Sequence, residues 1–205
     1  MNEELSDLID NIRAIANIKG IKAISLKELY ANPIFPDELL DKYFSSEEML
    51  VEKILHDERR KFEEIFEQND FEGVNAIDIL FTVGKEMTGK FYHLSPSVTH
   101  LYKELHPEIY QKHIEERINF IFGKIQINLQ KGISQGMYRN DMSIELVARL
   151  YISRLIDLHD PANFPPEEFS FSTLFDQMFA KFIESIATPE GLAYFKKKKR
   201  STRLK

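Results

Sequence analysis

Four histidines, His93, His100, His106 and His113, stand seven, six and seven residues apart, close enough to helical spacing to raise the question of a metal site. Imidazoles bind a metal together only if they project from one face or converge from several elements. Here the gaps straddle Pro96 and Pro107, which predict helix ends, so no shared face follows. Glu115 and Glu116 beside His113 would complete a donor set on paper, and they read equally as exposed polar residues of a helix. No His-Glu-x-x-His pair, phosphate-cradling glycine loop or nucleophile elbow occurs. The chain has no cysteine, which removes thiolate nucleophiles, thiolate metal sites and disulfides. The sequence therefore offers no catalytic residue, no cofactor and no metal site, and an enzyme is the weakest reading.

Binding chemistry is better represented. Phe81, Met87, Phe91, Tyr92 and Tyr102 lie among glycines, and the stretch "INFIFGKIQINLQ" adds Phe120 and Phe122 with Asn119, Gln126 and Asn128 among apolar neighbours. Sixteen phenylalanines and no tryptophan supply the bulky apolar surface that a lipophilic pocket needs, although any core draws on the same residues. The candidate pocket residues are Phe81, Met87, Phe91, Tyr102, Phe122, Gln126, Tyr151 and Arg154, the last three being its polar groups.

The elements that would position these groups are helices. Apolar residues recur at helical spacing in nearly every long segment, and no convincing strand alternation appears. Leu5, Leu8, Ile9, Ile12, Ile15 and Ala16 form one stripe; Ser25 predicts the cap of a short helix that Pro33 ends; Pro36 opens a third, with Asp37 and Glu38 in its first turn. "SSEEMLVEKILHDERRKFEEIFEQ" reads as one helix over 46–68, followed by helices near 74–91, 96–105, 107–135, 143–158 and 169–187. The prolines of "HDPANFPPEEFSFS" predict a long loop at 159–172.

The helix over 143–158 is apolar on two sides: Ile144, Val147, Tyr151, Leu155 and Leu158 on one, with Leu146, Leu150, Ile152 and Ile156 around it. The helix at 174–186 is similar. Two broad apolar faces imply burial against both a core and a partner. Val147, Tyr151, Leu155, Phe175, Met178, Phe179 and Phe182 are the predicted homodimer contacts.

At 205 residues, 43% hydrophobic and 29% charged, the composition is that of a globular protein. No apolar run approaches the ~20 residues that span a bilayer, and the acidic start "MNEELSDLID" lacks secretory features. A cytoplasmic protein without a membrane partner is the expectation. The net charge of −6 conceals an asymmetry, because the last ten residues carry seven positive charges and the first 195 carry −13. That tail, 196–205, reads as disordered.

The stretch 8–55 resembles the N-terminal domain of the TetR family of bacterial transcriptional regulators, through "KG" at 19–20, the Ser25 cap, "KEL" in the second helix and "KYFSSEEML" at 42–50. "GMYRNDMSIELVARL" and "ESIATPEGLAYF" resemble the family's later junction and its C-terminal ending. The resemblance implies an all-α chain: a three-helix helix-turn-helix domain over 1–48, a ligand-binding and dimerisation bundle over 49–195, then the basic tail. It implies a DNA-binding homodimer that responds to a small lipophilic effector, with Lys22, Lys27, Leu39, Lys42 and Tyr43 toward DNA.

The third helix departs from the family pattern. Ile34 stands where the family turn has glycine, which predicts an altered turn geometry. Asp37, Asp41 and Glu47 stand where the family commonly presents cationic or hydroxyl groups, and residues 1–50 hold ten acids against five bases. Phosphate contacts supply most non-specific affinity, so weak operator binding is expected. The alternative is a TetR-like interaction protein that has lost operator recognition.

Overall fold

A computed structural model describes residues 2–19, 24–90, 102–158, 160, 162–165 and 168–203. Those residues form helices and no strand, with one isolated antiparallel bridge between Tyr138 and Ala187. The helices are α1 (Glu3–Lys19), α2 (Leu26–Tyr30), α3 (Asp37–Tyr43), α4 (Glu47–Gln68), α5 (Ala76–Lys90), α6 (Pro107–Ser134), α7 (Ile144–Asp157), α8 (Phe171–Ile186) and α9 (Pro189–Arg203). Residues 102–105 add a helical turn; the rest of the helix expected over 96–105 lies outside the described residues, as does Phe91.

The chain divides into two compact units, Met1–Gln68 with Gly89–Arg117, and Asn69–Thr88 with Ile118–Lys205. α4 groups with the first unit, past the boundary expected at 48. The reason is its apolar face, on which Leu50, Val51, Ile54 and Leu55 are buried in one cluster with Leu5, Leu8, Ile9 and Ile12 of α1 and with Leu29, Phe35, Leu40 and Phe44.

Beside that cluster the fully buried Asp57 gathers cations. Arg13 Nη1 lies 2.6 Å from its Oδ2, Lys61 Nζ 3.0 Å from Oδ2, and Arg60 Nη2 3.1 Å from Oδ1. Arg13 also donates to the Ile54 carbonyl at 2.7 Å. Burial alone would raise the Asp57 carboxyl, but Arg13, Lys61 and Arg60 outweigh it and hold it below the usual carboxylate range.

In the second unit, side chains of α6 tie down the start of α5. Gln135 accepts from the Ala76 amide at 2.8 Å and Asn128 donates to the Ala76 carbonyl at 2.8 Å. Tyr138 donates to Asn128 at 3.2 Å. Its ring packs where a Cβ on Gly132 would stand, so α6 accepts only glycine there. Gly136, at φ +73°, ends α6 with the left-handed residue that helix C-termini favour. Ser143 and Ser170 cap α7 and α8 through the amides of Leu146 and Thr173, each at 3.3 Å.

The tail expected to be disordered is instead helical as far as Arg203, within α9. Its charge is offset inside the chain: Lys198 Nζ lies 2.9 Å from Asp78 Oδ1, and Tyr194 donates to Asp78 Oδ2 at 2.6 Å.

Candidate nucleic-acid interface

The local sequence builds a helix-turn-helix in α2 and α3. Ser25 caps α2 by accepting from the Glu28 amide at 3.2 Å, and Glu47 accepts from the Leu26 amide at 2.8 Å. Glu47, which stands where the family commonly has a lysine, thus secures the start of α2. Ile34 has no positive φ. Asn32 makes the turn in place of glycine, its side-chain oxygen accepting from the Ile34 amide at 3.2 Å while its carbonyl accepts from Phe35 at 3.0 Å. This is an Asx turn, and Phe35, 4% exposed, anchors it in the core.

The outer surface of α3 carries Asp37, Glu38 and Asp41, all exposed. Among the described residues no cation pairs with them; Asp41 accepts from the Tyr30 hydroxyl at 2.5 Å, which pushes the Tyr30 phenol up from its ordinary value. The one lysine of α3, Lys42, is already engaged. Its Nζ lies 2.5 Å from Glu4 Oε2 of α1, and the Tyr43 hydroxyl donates to the same oxygen. Asn2 donates to Tyr43 at 3.0 Å. The hydrogen bond from Lys42, then that from Tyr43, holds the Glu4 carboxyl below its usual range, and Lys42 is raised in return.

Of the five residues expected to face DNA, Lys42 and Tyr43 are therefore held by one carboxylate. Leu39 is half-buried against the core of the first unit, Lys27 is exposed on α2, and Lys22 lies outside the described residues. Sequence reasoning missed Glu4, because its partners are 38 and 39 positions away and no local pattern links them.

The expected ligand residues are divided between the two units. Tyr102 is buried in the core of the first unit, whereas Phe81 packs edge-on to Phe179 in the second, with ring centroids 5.3 Å apart. Met87 is buried, and Tyr151 is buried against Phe182 with centroids 4.7 Å apart. Burial drives the Tyr151 and Tyr102 phenols strongly upward. Phe122, half-buried, lies under the Arg149 guanidinium at 5.2 Å, and Gln126 is half-buried. Of the described members of the set, only Arg154 lines a cavity of about 670 Å³ formed with Asp157, Leu158, Phe164, Leu174 and Met178, among others.

The expected dimer residues are mainly core. Tyr151, Leu155, Phe175 and Met178 are buried within the protomer, and Val147, Phe179 and Phe182 are half-buried. The apolar side chains that α7 exposes are Leu146, Leu150 and Ile156, at 57%, 55% and 46%. Helical periodicity marks an apolar side chain without saying which protein covers it, so the expected contacts include side chains that the protomer itself buries.

His113 is 1% exposed, with Nδ1 2.9 Å from Arg59 Nη1. Arg59 also pairs with Glu116 at 2.8 Å, and Arg117 with Glu58 at 2.9 Å. Burial pushes the His113 imidazole down to about 4, and the two guanidiniums press in the same direction against the pull of Glu58. Two arginines beside the ring repel any metal cation, and no group of three donors suited to a metal occurs among the described residues. His106 sits at the start of α6; His93 and His100 lie outside the described residues. Among the described residues no helix is long and apolar enough to cross a membrane.

Neither a family model nor a curated protein matches the sequence. Solved structures do. The reduced form of NemR from E. coli matches with a TM-score of 0.68 at 14% identity, over 92% of this chain and 99% of that one. The ketosteroid transcriptional regulator KstR2 of Mycobacterium tuberculosis matches at 0.54 and 15%, over 92% and 97%. TylP, a TetR regulator from Streptomyces fradiae, matches at 0.51 and 13%, over 91% and 80%. With its α2–turn–α3 unit and its helical second unit, this chain has the TetR-type fold.

Proposed function

We propose that this chain is a TetR-type transcriptional regulator, a cytoplasmic homodimer whose helix-turn-helix contacts DNA weakly and whose second unit takes a small lipophilic effector. The observation that carries it is the intact α2–turn–α3 unit, rebuilt around Asn32 and Phe35 with no glycine in the turn, within a chain similar along nine-tenths of its length to three regulators. Leu146 and Leu150, one turn apart on α7 and more than half exposed, support self-association through that helix. The packed phenylalanines around Phe81 and Phe179 and the ketosteroid regulator among the similar structures support a lipophilic effector. Effector binding would act by changing the separation of two helix-turn-helix units across the dimer.

The test is a mobility-shift titration with the DNA upstream of the protein's own gene, in 150 mM salt, with and without a panel of lipophilic compounds first ranked by thermal shift. A shift that unrelated duplex fails to compete, and that one compound relieves, supports the reading. Equal competition by unrelated duplex overturns it.

A second reading, a TetR-like binding protein that no longer reads an operator, draws on one observation. α3 exposes three carboxylates, and its single lysine, also exposed, is paired with Glu4. A duplex approaching that edge meets repulsion where phosphate contacts are needed.

A further inference from the structure

The strongest cationic surface of this chain lies on α9. Four consecutive lysines, Lys196 to Lys199, and Arg200 fall in its second half. On a helix these charges spread over all sides, and cations one turn apart repel each other. Two of the five are offset within the chain. Lys198 pairs with Asp78 of α5, and Lys199 lies 5.8 Å from the Phe195 ring centroid.

Lys196, Lys197 and Arg200 are different. All three are exposed and none forms a close ion pair among the described residues, although Glu184 of α8 lies near enough to Lys196 to feel its charge. Lys196 and Arg200 are one turn apart, on the side of α9 away from Gly191, Phe195 and Lys198. Gly191 and Phe195 are buried, and the Tyr194 hydroxyl grips Asp78. The helix is thus fixed along its inner side and cationic along its outer side.

We propose that this outer face of α9 is a polyanion-binding site that grips nucleic-acid phosphates without reading bases. Three features select that partner. The cations are mainly lysines, point charges that suit phosphates and lack the planar fork used for base edges. The outer face shows no apolar residue from 196 to 201, whereas a helix lying in a membrane interface needs an apolar side directed at lipid; the aromatic Phe195 is spent on the chain's own core. The site is also preformed, since Tyr194 and Lys198 hold the helix to Asp78, so no ordering of a tail is required on binding. The inference deepens the regulator reading by adding a second nucleic-acid contact, and rests on it only for the identity of the polyanion.

The test compares the full chain with Lys196→Glu/Lys197→Glu/Arg200→Glu, using a random 30-base-pair duplex followed by fluorescence anisotropy from 50 to 200 mM KCl. Glutamate is as good a helix former as lysine, and circular dichroism and melting check that α9 persists; the triple Gln variant supplies a milder version. Each released phosphate contact contributes about 0.9 to the slope of log affinity against log salt, so the reversal should cut affinity at least about tenfold and lower the slope by about 3. Wild-type binding that the reversal leaves unchanged overturns the proposal, as does an absence of binding at 50 mM KCl. Phosphatidylserine vesicles that hold the wild type as tightly as duplex at equal salt overturn it too, in favour of a membrane surface.

The two readings separate. An upstream sequence preferred equally by wild type and reversed variant sinks the α9 site and keeps the regulator. Random duplex held only through α9, with no sequence preferred, keeps the site and sinks the regulator.

Discussion

α3 and the second half of α9 are both short charged surfaces, and their chemistries are opposite. α3 is the second helix of the helix-turn-helix, yet no cation among the described residues pairs with its carboxylates and its lysine is engaged by Glu4. α9 belongs to a chain whose first 195 residues carry −13, yet it exposes three cations that form no close ion pair among the described residues. What a charged residue can offer a partner is decided by what its own chain has already given it. Formal charge is a poor guide without that information.

The comparison can be broken most severely by loosening α1 from α4, the two long helices of the cluster in which Leu40 of α3 is buried. Asp57 is 0% exposed, and breaking a buried ion network by deleting one member typically costs about 3–5 kcal/mol. Asp57→Ala should lower the stability of the chain by that amount in denaturant titration. The acid limb has a defined sign: the Asp57 carboxyl is depressed in the folded state, so its contribution is present above the unfolded value near 3.8 and is lost as pH falls below it.

His113 gives the next largest effect, at higher pH. Its folded value of about 4 against an ordinary 6.5 means that the unfolded chain binds the extra proton between those values. Stability should therefore fall by about 3 kcal/mol from pH 6.5 to pH 4. His113→Gln should flatten that part of the stability–pH curve even if it lowers the whole.

Reversing α3 sharpens the contrast itself. Asp37→Lys/Glu38→Lys/Asp41→Lys should strengthen binding to a random duplex by roughly 10- to 100-fold at low salt and add up to about 3 to the salt slope. A duplex indifferent to that change would mean that α3 never approaches DNA. The smallest effect is expected at the clamp. Glu4→Gln returns Lys42 and Tyr43 to solvent, and since exposed ion pairs are weak, affinity for duplex should rise only about two- to fivefold.

The helices were legible in the sequence because each states its own period, cap and stop. Ser25, Ser143 and Ser170 cap where they stand, and Gly136 ends α6. The turn was half legible: Ile34 signalled a missing glycine, and Asn32, two residues earlier, already held the replacement. The charge pairings were not legible. Asp78 meets Tyr194 across 116 positions and Glu4 meets Tyr43 across 39, and only the folded chain brings those groups together. The lysine run was read as disorder because its composition announces repulsion, while the carboxylate that offsets it lies on another helix. Apolar stripes on α7 and α8 announced burial but did not separate the side chains that the protomer buries from those it leaves exposed, since a stripe has no label for whose surface covers it.

The place where α9 begins sets how far its charges can vary. The Thr188 amide donates to the Met137 carbonyl at 2.9 Å, the Arg139 amide to the Ile186 carbonyl at 2.9 Å, and a Cβ on Gly191 would collide with that same Met137 oxygen. Any side chain larger than hydrogen at position 191 would pry the base of the helix off its seat and swing the distant cations with it. Mutation can retune the outer lysines one at a time without disturbing the fold, so long as that single contact near the root of the helix stays bare.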